Sequence, residues 1–170
     1  MREILGSTPG LAILIGVALG GLWSWEQNRK RRVRGLDIDV SDPVWLAALE
    51  KARGSLPRFV ERARQYPAQA FVKYPLQTTK GLTEHVWGPV ISMTAETIRA
   101  GLETLPIDGT PNTAPPYDIQ IHQIEDWRVD LSDGRIFGAY TARAQFEYAR
   151  QRGFDIPRHM LEIESRLVDS

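Results

Sequence analysis

The first pattern in the chain is an unbroken apolar run. Residues 7 to 25 read STPGLAILIGVALGGLWSW without a charge, and EQNRKRRVRG follows directly. At about 1.5 Å rise per residue, about 19 residues span roughly 28 Å as a helix, close to the hydrocarbon thickness of a bilayer. Ser7 or Thr8 can cap such a helix, and Pro9 suits its first turn. Trp23 and Trp25 fall where an aromatic belt belongs. The run has no polar face, which argues against a buried core helix. The pattern predicts a single transmembrane anchor over 1–28, a basic juxtamembrane segment and linker over 29–40, and a domain over 41–170.

From residue 41 the pattern becomes that of a folded domain. Ser41-Asp42-Pro43 reads as a helix start, and Val44, Trp45, Ala48, Leu49 and Ala52 recur at helical spacing before Gly54. Leu56-Pro57 opens a second helix through Phe59, Val60, Ala63 and Tyr66, stopped by Pro67. Trp45, Leu49, Phe59 and Val60 are expected in the core. The periodicity then shortens. AFVKYPL reads as a strand with Pro75 at an edge or a strand end. EHVWGPVISMT follows the turn TTKG, with a bulge or kink at Gly88-Pro89. TIRAGLE, YDIQIHQI, WRVDL and RIFGAY complete about six strands, the last two joined at an Asp-Gly hairpin turn. Residues 106 to 116, PIDGTPNTAPP, form a loop. Thr141 is the expected cap of a helix ended by Gly153, and a short helix begins at Pro157. Helix, helix, grouped strands, helix, helix describes an α+β fold. The expected sheet is small, antiparallel and strongly curved, or an open barrel, flanked by helices.

Charge sharpens the division. The chain carries 21 basic and 21 acidic residues. Setting aside Arg2, Arg29, Lys30, Arg31, Arg32, Arg34, Glu3 and Glu26 leaves 15 basic against 19 acidic residues from Gly35 onward. A mildly acidic domain has no bulk attraction to nucleic acid. Arg29, Lys30, Arg31, Arg32 and Arg34 are instead placed to meet anionic headgroups of the bilayer, at about 1 kcal/mol each. The positive-inside rule puts the N-terminus outside and the domain in the cytoplasm. A cleaved secretory signal would carry its cations before the apolar run; here the order is reversed, although Ala18 and Gly20 make a passable cleavage site. Gly16 and Gly20 match the small-xxx-small spacing of close helix dimers, and so mark a candidate homodimer contact. The chain has no cysteine, which excludes disulfides, thiolate chemistry and cysteine-ligated metals.

Phosphate-binding glycine loops, H-E-x-x-H and G-x-S-x-G are absent. His85, His122 and His159 fall on separate elements without ligand spacing, so neither a metal nor a cofactor is expected. Glu84 and His85 are neighbours on a strand and point to opposite faces. Each can pair with a group from another strand, such as Lys73, Asp126 or Arg143; a plain Glu84–Lys73 cross-strand ion pair is the simpler account. Asp126, at a strand break, can serve a turn or contact a ligand, and Trp127 can pack in the core or line a groove. Arg143 falls in the first turn of a helix, an unfavourable end for a cation, which calls for a carboxylate such as Asp126 or Asp133.

Four ordered motifs resemble one family. Phe71 and Lys73 stand in Phe71-Val72-Lys73, one residue shorter than the family's "FxVK" strand, and Glu84, His85 and Trp87 in "EHxW". Ile124, Asp126 and Trp127 stand in "I-x-DW", and Asp133, Gly134, Gly138, Tyr140, Thr141 and Arg143 in "DGxxxGxYTxR". Over about residues 48–152 this is similar to the DUF2314 family, bacterial domains of unknown function. The glycine- and asparagine-rich middle of that family is replaced here by TIRAGLETLPIDG. The resemblance implies a bacterial protein, which would place the expected anchor in the inner membrane, and transfers no activity. It gathers Lys73, Glu84, His85, Trp87, Asp126, Trp127, Tyr140 and Arg143 as a candidate cleft or framework.

Two functions follow. One is a membrane-anchored, non-catalytic module that binds or regulates an unidentified protein partner. The other is a hydrolase with Glu84 or His85 as general base and Arg143 holding an anionic substrate. Convergence of these groups in a cleft would favour the enzyme; dispersal or mutual neutralisation would favour the module.

Overall fold

The structure, a computed structural model, describes residues 40–168 except positions 104 and 108. The expected anchor over 1–28, the cationic cluster and the Gly16/Gly20 contact lie outside the described residues. Among the described residues no helix is long and apolar enough to cross a membrane. The expected architecture, a membrane helix followed by a strongly curved sheet or barrel, is therefore corrected to an α+β domain built on an open seven-stranded sheet.

Helix α1 spans Pro43–Gly54. The Asp42 carboxylate accepts the Val44 N–H at 2.9 Å, and Pro43 occupies the first turn, where a missing N–H costs nothing. Its buried stripe is Trp45, Ala48 and Ala52. Ser55 separates it from α2, Leu56–Gln65, which buries Phe59 and Ala63 one turn apart. Leu49 and Val60 are only partly buried.

The strands are β1 (Ala70–Gln77), β2 (Thr83–Met93), β3 (Thr97–Ala100), β4 (Tyr117–Gln120), β5 (Asp126–Asp130), β6 (Ile136–Gly138) and β7 (Leu167–Val168). Their order across the sheet is β4-β3-β2-β1-β5-β6-β7. All pairs are antiparallel except β6–β7. Helices α3 (Tyr140–Arg152) and α4 (Arg158–Glu164) precede the short β7, a strand too brief for periodicity to register.

Pro75 sits on a central strand and is tolerated there because pairing with β5 stops at Lys73. Gly88 and Pro89 pair regularly with β1, and the irregularity falls instead between Val90 and Ser92, opposite β3. Gly88 is required for a different reason. A Cβ there would lie 1.8 Å from the Gly101 carbonyl oxygen, whose approach Tyr74 fixes with a 2.7 Å hydrogen bond. The strand expected over YDIQIHQI ends at Gln120, because Ile121–Gln123 turns as a 3-10 segment with Gln123 capping Gln120.

Trp127 is the centre of the core. It is fully buried, packs on Phe59 at 5.4 Å and Tyr140 at 5.7 Å, and donates its indole N–H to the Ser55 hydroxyl at 2.9 Å. Gly138, at φ +78°, lets β6 pass this ring, since a Cβ there would stand 2.4 Å from the Trp127 carbonyl oxygen.

Candidate functional site

The structure divides the eight candidate residues into an interior group and a surface group. The interior group forms where β1, β5 and the start of α3 meet. Lys73 is the register partner of Asp126, and both are buried. Helix α3 begins after Ala139, which holds a left-handed conformation (φ +52°) and has no side chain able to cap. Asp126 supplies the cap from the sheet. Its Oδ2 accepts the Thr141 N–H and hydroxyl, both at 2.7 Å. Its Oδ1 accepts the Tyr140 N–H at 3.2 Å and its neighbour Trp127's N–H at 2.8 Å. Four donors and a helix N-terminus thus satisfy one carboxylate.

This corrects the expectation that Thr141 itself caps the helix. The helix starts at Tyr140, two residues earlier than a Thr141 cap would place it, and the Thr141 hydroxyl is a donor to Asp126 rather than the cap. Lys73 points its ammonium over the Trp45 ring at 4.7 Å and toward the Thr141 hydroxyl at 3.5 Å. Burial pushes the Lys73 ammonium below its ordinary range, against the charges of Asp126 and Glu125. Burial likewise pushes the Asp126 carboxyl upward, against the pull of its hydrogen bonds and of Lys73.

The expected partners of Arg143 are also revised. Its guanidinium donates to the Gly138 carbonyl at 3.1 Å and the Val168 carbonyl at 2.6 Å, tying α3 to the ends of β6 and β7. Asp133 instead serves its own hairpin turn through Arg135. Glu84 faces Leu76 across the strands, not Lys73, and accepts the Ile107 N–H at 2.7 Å.

The surface group lies on the neighbouring strand β2, where Trp87 is the register partner of Lys73, and two residues further along β5. His85 is exposed and meets both Glu125 carboxylate oxygens, at 2.7 and 2.8 Å. Trp87 is half-buried, and the Arg128 guanidinium covers it at 4.9 Å. The same guanidinium lies 4.4 Å from the Phe71 ring and ion-pairs with Glu103 at 2.6 Å and Asp130 at 3.1 Å. Arg128, Glu103 and Glu125 escaped the sequence reading. Their one legible signal was alternation, since Arg128 stands two residues after Asp126 and so shares its face.

Glu84, His85 and Arg143 therefore do not converge: each is engaged on a different part of the domain. Among the described residues no group of three or more His, Asp or Glu could hold a metal. The fold and site define an α+β domain whose charged interior is a helix-capping framework and whose open surface carries an arginine between two aromatic rings. No family profile, curated protein or solved structure matches the chain, so DUF2314 stays a resemblance carried by the four motifs alone.

Proposed function

We propose that this domain is a non-catalytic protein-binding or regulatory module, held at a bacterial membrane by the N-terminal segment, with the domain in the cytoplasm. The observation that carries the reading is the use made of its charges. Asp126 and Lys73, the groups best suited to chemistry, are consumed inside the fold, Asp126 capping α3 and Lys73 packed beside it over Trp45, while Trp87, Phe71 and Arg128 remain part-exposed. Tryptophan and arginine are the side chains most often found at the energetic centre of protein interfaces. The membrane side of the reading rests on the sequence, on the apolar run 7–25 and the cations from Arg29 to Arg34.

The test of the binding reading is photo-crosslinking in cells from a reactive residue at Thr83, on β2 with Trp87, and from one at Gln151, on α3. A discrete adduct from Thr83 that Trp87→Ala and Arg128→Glu both abolish is expected. Adducts that survive both substitutions would sink the binding surface. Fractionation, with a reporter active only in the cytoplasm fused after Ser170, tests the location; a soluble or exported product would overturn it.

A further inference from the structure

Strand β2 runs past its neighbour β1. The pairing ends with Phe71 opposite Pro89, yet β2 continues through Val90, Ile91, Ser92 and Met93. On one side these residues keep β3, with a register shift between Val90 and Ser92. On the other side the chain leading into β1 is the 3-10 segment Pro67–Gln69 and, before it, helix α2. The Thr94 N–H donates to the Thr97 carbonyl at 2.9 Å, toward β3. Alternation then turns the main-chain groups of Met93 the opposite way, toward α2. A groove of about 520 Å³ lies between this strand edge and α2. Val60, Ala63, Pro67 and Met93 give it apolar walls, and Ile91, which also lines it, is 58% exposed. Among the described residues that line it, Arg64 alone is charged, and it is exposed.

We propose that this groove binds a short extended segment of a partner protein, which adds a strand to β2 and presents an aliphatic side chain next to a carboxylate. Strand edges are ordinarily guarded by charge or proline; residues 90–95, VISMTA, carry neither. An open edge pairs through main-chain hydrogen bonds, and a pocket beside it selects alternate side chains of the added strand. The apolar walls call for an aliphatic residue, and Arg64 calls for a carboxylate. The volume is that of a small-ligand pocket, which suits a few extended residues rather than a folded surface. The groove shares no lining residue with the surface around Trp87 and Arg128, so the inference goes beyond the reading above and stands apart from it.

Random octapeptides displayed on phage are selected on full-length protein in detergent micelles, as wild type and as Arg64→Glu. Wild type should enrich peptides with Asp or Glu beside Val, Ile or Leu, and Arg64→Glu should not. A fluorescent copy of the enriched peptide should bind about tenfold more weakly to Arg64→Glu and to Ile91→Asp, and within about twofold of wild type to Trp87→Ala. Arg64→Gln, which removes the charge without reversing it, should also weaken binding. Both side chains are exposed, so urea unfolding of these variants should match wild type. N-methylation of one peptide amide should cost about tenfold, and methylation of the next amide should cost little. No enrichment, or an enriched peptide indifferent to Arg64→Glu, overturns the proposal. Equal tolerance of N-methylation at every amide removes the added strand and overturns it too. Loss with Trp87→Ala but not with Ile91→Asp moves the peptide to the other surface, with the same result. A dimer that Ile91→Asp dissolves assigns the edge to a second copy and likewise overturns the proposal.

Discussion

Two charged clusters lie two residues apart on the same pair of strands. In one, Lys73 of β1 faces Asp126 of β5; in the other, Phe71 faces Arg128. Both combine a cation, carboxylates and aromatic rings. They differ in access to water. Lys73 is 8% exposed and Asp126 0%, whereas Arg128 and Trp87 are partly open. In the interior every lone pair must find a donor within the protein, so the pair is built into the start of α3. On the surface water can replace any partner, so the same residue types stay partly open to solvent. The lesson is that a motif rich in charge and tryptophan carries no function until burial is known.

The contrast is broken most directly at Asp126. Asp126→Ala removes the cap and leaves Lys73 buried without its carboxylate, and should cost about 3–5 kcal/mol in urea unfolding. A loss under about 1 kcal/mol would mean the interior cluster is not the framework described.

Lys73→Met should cost less, about 1–3 kcal/mol, because Asp126 keeps its four donors. Its signature is in pH. Burial lowers the folded value of Lys73 below the ordinary value of about 10.4, so the unfolded chain holds this proton longer. The Lys73 contribution to stability then rises with pH between the folded value and about 10.4. Unfolding free energies of Lys73→Met measured from pH 7 to 10.5 should lack that rise.

Tyr74, next along β1, works in the opposite sense. Its hydroxyl donates to Gly101, and burial, with a smaller push from Tyr117, holds its folded value above the ordinary value of about 10. Its contribution is complete below about pH 10 and is lost as pH rises toward the folded value. Tyr74→Phe should cost about 1 kcal/mol at pH 7 and make the fall in stability above pH 10 shallower, as read by chemical denaturation.

The surface cluster should respond least. Trp87→Ala or Arg128→Ala should shift stability by about 1 kcal/mol or less, while abolishing the crosslinked adduct. His85→Ala, which breaks an exposed pair with Glu125, should stay within about 0.5 kcal/mol. A large loss of stability from these surface changes would erase the distinction between the clusters.

Much of the domain was legible because its signals are local. Asp42-Pro43 announces α1, Gly153 ends α3 in a left-handed cap, and the Asp-Gly pair marks the β5–β6 turn. The α+β order and the placement of Trp45 and Phe59 in the core follow from spacing alone. Where the reading failed, the missing information was non-local. The cap of α3 comes from a residue 15 positions before Thr141, which no rule about neighbouring residues reports. The strand expected over YDIQIHQI was cut short because Gln123 returns to cap Gln120, a choice alternation cannot foresee.

Most of the elements, the acidic balance of the domain and the residue types able to do chemistry were readable from the chain alone. Those depend on side-chain volume, charge and backbone preference, which each residue carries with it. Which charges are spent inside and which stay available emerged only once the chain was folded. That depends on strand register and depth from water: two residues along β1, from Lys73 to Phe71, lead from the buried cluster at the start of α3 to a part-exposed arginine–aromatic cluster.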